Sequence, residues 1–209
     1  MMPGRTAALT AGAVLVAALG AGLAVYGTGS TGGNSAPCAG SAAAAARIAP
    51  LARGAVAALE VASAPVPAPA LAFKGPDGSE TTLAAVTGLR LVNLWATWCA
   101  PCKAEMPALD RLQARLGGAD FSVVAINVDT RNLDVPPTWL KQNGIARLAY
   151  YADPGGRVLP AIQKATGSLG LPTTLLVDGH GCTLGVMKGP AEWDGADGIK
   201  LIAAALGRD

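Results

Sequence analysis

Trp95-Ala96-Thr97-Trp98-Cys99-Ala100-Pro101-Cys102 separates an apolar run from an amphipathic one. Leu91, Val92, Leu94 and Trp95 predict a buried central strand over 89–95. Beyond Cys102, Met106, Leu109, Leu112 and Leu116 recur at helical spacing and predict a helix over 102–116, ended by Gly117-Gly118. Pro107 lies inside it, lacks an N–H and is expected to kink it. Cys99 then sits where strand passes into helix, with Cys102 in the first turn. The unpaired N–H groups and positive end of that helix favour a thiolate on Cys99, and Lys103 adds a nearby positive charge. With two residues between the sulfurs, Cys102 is placed to attack a mixed disulfide formed by Cys99. This chemistry is dithiol–disulfide exchange, and it needs no cofactor beyond the cysteine pair. Half of a zinc site has the same C-x-x-C spacing. The only other ligands on offer, His180 beside a turn and the distant Cys38 and Cys182, complete it poorly.

The 209-residue chain is not uniform. Residues 7–26 are twenty in number, uncharged and rich in Ala, Leu, Val and Gly. As a helix they reach about 30 Å, enough to cross a bilayer core. Arg5 precedes them and no basic residue follows until Arg47, so the N-terminus is expected in the cytoplasm and the remainder outside. A cleaved secretory signal is the alternative, and it also exports the domain. Ser35-Ala36-Pro37 before Cys38 is not a lipobox, which argues against a lipid anchor there. The expected division is a cytoplasmic N-terminus and transmembrane anchor over 1–26, a periplasmic tether, Ala-rich helix and connector over 27–70, and a compact domain over 71–209. Within the middle part, 27–40 is a Gly/Ser/Thr-rich tether. Ser41 is a candidate cap for a helix over 42–61, whose stripe is Ile48, Leu51, Ala52, Ala55, Leu59 and Ala62. Pro50 and Gly54 are expected to bend or break it. The Ala-Pro repeats of 64–70 suggest an extended connector without regular structure.

Within the compact domain, short strands are expected at 71–73 and 81–83, a buried strand at 121–128, and a helix from Pro136-Pro137 through Trp139 and Leu140. A short strand at 148–151 and a helix over 158–169 follow. Strands at 174–177 and 182–187 flank the turn Asp178-Gly179-His180-Gly181. A last helix over 197–206 is expected to turn Ile199, Ile202, Ala203 and Leu206 inward. This order suits an α/β domain with right-handed crossovers around a central mixed sheet. A net charge of +2, from sixteen basic and fourteen acidic residues, offers no basis for nucleic-acid binding.

Other side chains bear on the cysteine site. Glu105, three residues after Cys102, shares its helix face and is either a proton acceptor in the resolving step or a solvated surface acid. Asn93 on the central strand cannot titrate and supplies no base. Trp98 either shields Cys99 or forms a docking surface, whereas Trp95, Trp139, Met106 and Phe121 are core candidates. Pro172, in Leu171-Pro172-Thr173, either simply starts a strand in trans or is cis. In the cis form it presents the Leu171 backbone for an extended peptide to pair with. Four cysteines in an exported chain allow three disulfide pairings. With two in the C-x-x-C, Cys38 and Cys182 are either bonded to each other or free.

The chain resembles the thioredoxin-like superfamily in Trp98-Cys99-Ala100-Pro101-Cys102 and in Gly170-Leu171-Pro172-Thr173. More closely, it is similar to the TlpA-type membrane-anchored thiol:disulfide oxidoreductases of alphaproteobacteria. The likeness also includes Glu105-Met106-Pro107-Ala108-Leu109, Asn127-Val128-Asp129-Thr130-Arg131 and Gly189-Pro190-Ala191-Glu192-Trp193. It implies a thioredoxin-like fold and a single-pass protein of the bacterial inner membrane with a periplasmic disulfide reductase domain. Cys99 would be the attacking thiolate, Cys102 the resolving thiol and Glu105 a proton-handling acid. Pro172 would be cis, and Cys38–Cys182 a structural disulfide. Asn93 departs from ordinary thioredoxins, which carry a buried aspartate there. TlpA-type relatives reduce a Sco-type copper chaperone and cytochrome oxidase subunit II, and broader relatives reduce apocytochrome c before haem attachment. Either use implies an upstream membrane thiol donor. A copper chaperone is a different class, and the Sco type carries C-x-x-x-C rather than C-x-x-C. A non-catalytic scaffold using the Ala-rich helix and Trp98 is a third.

Overall fold

Seven consecutive buried residues, Leu89–Trp95, occupy the middle of the sheet, because both faces of that strand are covered. The computed structural model describes residues 37–208. In chain order its helices are α1 (Ala42–Ile48), α2 (Ala100–Leu116), α3 (Val135–Gln142), α4 (Val158–Thr166) and α5 (Ala196–Ala205). Its strands are β1 (Leu59–Pro67), β2 (Ala72–Lys74), β3 (Glu80–Thr82), β4 (Leu89–Trp95), β5 (Phe121–Asn127), β6 (Tyr151–Ala152), β7 (Thr173–Val177) and β8 (Cys182–Lys188). They form one eight-stranded sheet in the order β1-β8-β7-β4-β5-β6-β2-β3. β4 runs parallel to β5 and antiparallel to β7, so the sheet is mixed, as expected.

The β4–α2–β5 unit follows from its apolar pattern. Met106, Leu109 and Leu112 of α2 are fully buried, as are Trp95 and Phe121, while Trp139 is half-buried with its ring 5.7 Å from that of Trp95. α2 starts at Ala100, ahead of the expected Cys102, and continues through Pro107 to Leu116. β6 is displaced toward the C-terminus from 148–151. α4 ends at Thr166, because Gly167 takes a left-handed φ of +68° and closes the helix. In α5 the fully buried pair is Leu201 and Ile202, with Ile199 and Leu206 only half-buried.

The segment before residue 70 departs further from expectation. The helix starting at Ala42 ends at Ile48, and single 3-10 turns follow at Ala49–Leu51, with Pro50 inside, and at Gly54–Val56. Ser41 precedes α1, but its side chain makes no capping bond. Residues 59–67, expected as the end of a helix and a connector, are edge strand β1, antiparallel to β8 with an irregularity between Val61 and Val66. Prolines are tolerated on an edge strand, where not every N–H is required by the ladder. The strand exists because β8, more than a hundred residues away in sequence, supplies its partner. The expected membrane anchor over 7–26 lies outside the described residues. Among the described residues no helix is long and apolar enough to cross a membrane.

Two features tie the far end of the sheet together. Cys38 and Cys182, both buried, are bonded to each other and join the residues before α1 to the start of β8. Buried Arg90 donates to the carbonyls of Leu83, Val86 and Asp178, clamping a 3-10 turn to the β7–β8 hairpin. Burial lowers its pKa, against the attraction of Asp178.

Candidate active site

The loop leaving β4 is held from below by β5. Buried Asp129 accepts the Thr97 backbone N–H at 2.9 Å and the Thr97 hydroxyl at 3.1 Å. The Asn127 amide donates to the same carboxylate at 2.8 Å. These bonds fix the chain just ahead of the cysteines. The sequence marks 127–131 only through resemblance; the available signal for its role is an acid two residues after a largely apolar strand.

Cys99 occupies the N-cap of α2 with φ −90° and ψ 100°, outside the helical region, and its sulfur accepts the Cys102 backbone N–H at 3.3 Å. Cys99 and Cys102 are joined as a disulfide. As residues, Cys99 is 5% exposed and Cys102 0%. In the disulfide form Cys99 is therefore nearly covered. Trp98 beside it is 67% exposed.

The second loop of the site precedes β7. Leu171–Pro172 is cis. Thr173 pairs with Leu94 of β4, so this loop reaches the sheet at the end where β4 passes into the cysteine motif. Thr173 and Ser168 both donate from their hydroxyls to the Gly170 carbonyl, at 2.7 and 3.3 Å, bracing the turn. Leu169 is 97% exposed, and Leu171 is half-buried.

Glu105 is not a surface acid, being 4% exposed. Its Oε1 accepts the Trp193 indole N–H at 2.7 Å and the Ala191 backbone N–H at 3.1 Å, and its Oε2 accepts the Asn93 amide at 3.1 Å. Asn93 also donates to the Thr174 hydroxyl at 2.9 Å. Burial pushes the carboxyl up to about 7, and the bonds from Ala191, Trp193 and Asn93 oppose that rise. Glu105 and Pro101 are among the residues lining a groove of about 1040 Å³ between α2 and residues 190–195. The resemblance brings Trp193 into the sequence reading without a role; only the fold shows its indole on Glu105. Among the described residues, no group of three or more His, Cys, Asp or Glu is placed to hold a metal ion.

This arrangement is chemically suited to dithiol–disulfide exchange: a cysteine pair at a helix N-terminus, a cis-proline loop at the same sheet end, and a buried acid that titrates near neutrality. The chain is 38% identical over 104 residues to the thiol:disulfide interchange protein DsbE homolog of Paracoccus denitrificans, covering 49% of this chain and 52% of that one. It is 30% identical over 98 residues to the thiol-disulfide oxidoreductase ResA of Bacillus thuringiensis subsp. konkukian, covering 47% and 53%. The chain thus spans about half the length of the curated relatives it matches. Among solved structures it is similar to a thioredoxin-family thiol:disulfide interchange protein of Chlorobium tepidum TLS. That match has a TM-score of 0.55 and 30% identity, over 68% of this chain and 97% of the other. The redoxin family profile matches residues 63–198. That span contains Cys99, Cys102, Glu105, the cis-proline loop and Trp193, and the chain belongs to the redoxin family, with a thioredoxin-like fold.

Proposed function

We propose that this protein is a membrane-anchored periplasmic reductase of protein disulfides, with the cysteine pair of apocytochrome c as its substrate class. The observation that carries the chemistry is the Cys99–Cys102 disulfide at the N-terminus of α2, at the same sheet end as cis Pro172. In the reduced protein the Cys99 thiolate attacks one sulfur of a substrate disulfide, and the other substrate sulfur leaves as a thiolate. Cys102, losing its proton to Glu105, then attacks the Cys99 sulfur and expels the second substrate thiolate. The substrate gains two electrons and the protein is left as its Cys99–Cys102 disulfide, for a membrane thiol donor to reduce. Trp98 and Leu171 flank the entering peptide, whose backbone pairs beside Pro172 as an added strand. Residues 7–26 anchor the chain in the inner membrane, 27–36 belong to the tether, and the buried Cys38–Cys182 bridge suits an oxidising compartment.

The apocytochrome c reading is favoured because the matched relatives include the DsbE, ResA and HelX types of the broader group. A second reading, reduction of a Sco-type copper chaperone and cytochrome oxidase subunit II, draws support from the Cys38–Cys182 bridge, which the TlpA resemblance implies. Cys102→Ser in the full chain separates the two. The variant should accumulate a mixed disulfide through Cys99, and mass spectrometry of the trapped partner should find haem-attachment cysteines. Copper-site cysteines in its place would establish the second reading. Absence of any Cys99 adduct, under acid quenching that preserves mixed disulfides, would rule out both.

A further inference from the structure

Gly189-Pro190-Ala191-Glu192-Trp193 has no part in the exchange reaction as described so far, yet it touches both halves of the site. At its start, the Gly189 N–H donates to the Pro172 carbonyl at 3.0 Å. In its middle and at its end, the Ala191 N–H and the Trp193 indole N–H converge on one oxygen of Glu105. Beyond it, Asp194 pairs with Arg111 of α2 at 2.6 Å. Gly198 of α5 lies so close that a Cβ there would come within 2.3 Å of the Trp193 carbonyl oxygen. The segment is thus a strap fastened to the cis-proline loop, to α2 and to α5, with a fully buried indole aimed at Glu105.

We propose that Trp193 is a positioning residue for the proton transfer of thiol exchange: it pins Oε1 of Glu105 to the strap and leaves Oε2 to take up and release the proton. This rests on the reading of Glu105 as the proton acceptor for Cys102. Oε1 already accepts two N–H donors, and a proton there would face both of them. Oε2 accepts only the Asn93 amide, whose own carbonyl oxygen is buried without a partner and is the acceptor an Oε2–H needs after an amide rotation. The charged groups that line the groove with Glu105 are Arg111 from α2 and Glu192 and Asp194 from the strap, and Cys102 lies three residues earlier on α2. Asn93 of β4 and Thr174 of β7 are neutral. Arg111 and Asp194 bind each other and Glu192 is exposed, so the indole N–H is the shortest contact that Glu105 makes.

The test uses the full chain in detergent, with the Glu105 side-chain carboxyl carbon followed by NMR against pH and assigned through Glu105→Gln. In parallel, the rate at which Cys102 resolves a Cys99 mixed disulfide is measured over the same pH range. Trp193→Phe should raise the Glu105 midpoint by about one pH unit, because a donor to the carboxylate is lost. The rate profile should shift with it, and the substitution should have no further effect in Glu105→Gln. Because Trp193 is buried, benzothienylalanine, which has the indole shape without the N–H, replaces it in the same test should the phenylalanine variant not fold. An unmoved midpoint, or equal slowing in the Glu105→Gln background, overturns the positioning role and leaves the proton role of Glu105 standing. A midpoint that moves while the rate profile stays fixed takes Glu105 out of the reaction, and the proposal falls with it.

Discussion

One buried carboxyl, the proton acceptor proposed above, also bears on the stability of this protein. Glu105 ionises at about 7 in the folded protein against 4.5 for an ordinary glutamate. Between those values the folded chain keeps a proton that the unfolded chain has released. Its contribution is therefore complete below about pH 4.5 and is lost as the pH rises through 7, beyond which it is constant. For a group so fully covered the shift corresponds to about 3 kcal/mol. Urea unfolding of the oxidised protein should accordingly lose stability from pH 5 to 7.5, and Glu105→Gln should lack that share of the slope. Parallel slopes for the two proteins would mean that the carboxyl is not held protonated. At the same scale, Asp129 shows why a residue can be visible in the sequence and its task hidden. Its position after β5 is plain, but its partner Thr97 lies 32 residues earlier and is reached only through the parallel pairing of β4 with β5.

Elements with strong internal periodicity were legible, and those that exist through a distant partner were not. β4, α2 and the β7–β8 hairpin follow from apolar spacing and turn residues, with boundaries within a few positions. The Ala-rich segment carries a helical pattern well past Ile48, but Pro50 stops the helix, Gly54 with a φ of +54° keeps it from resuming, and β8 draws the following residues into the sheet. Holding this N-terminal part in place falls to the Cys38–Cys182 bridge, which closes a sequence separation of 144 residues. Replacing both cysteines by serine should lower the unfolding free energy by about 4–5 kcal/mol on chain-entropy grounds. Chemical denaturation of the variant measures this. The rate at which Cys99 attacks a small disulfide should remain within about twofold of wild type, since the bridge lies at the other end of the sheet. A large fall in that rate would show the two ends to be coupled.

At the scale of the whole molecule, the proposed anchor over residues 7–26 makes membrane attachment a direct test. The full chain is expected to sediment with membranes and to resist high-salt extraction, because a span of about 30 Å of apolar helix is held by burial and not by charge. Removing residues 1–26 should release the protein to the soluble fraction with its exchange rate on a small disulfide unchanged. A soluble chain that has lost those residues would point to cleavage of the segment, and a soluble chain that keeps them would rule out the anchor.

Local patterning by itself determined the central strand, the helix that begins at the cysteines, the α/β class and the exchange chemistry of Cys99 and Cys102. Those depend on residues close in sequence, where apolar period and helix-end electrostatics act directly. Tertiary structure alone decided that Glu105 is buried and bonded to Trp193, that Asp129 holds Thr97, that Cys99 is nearly covered, and that residues 59–67 are a strand. Each of these depends on groups brought together from distant parts of the chain. Burial and partner choice are properties of that meeting, and no single segment carries them.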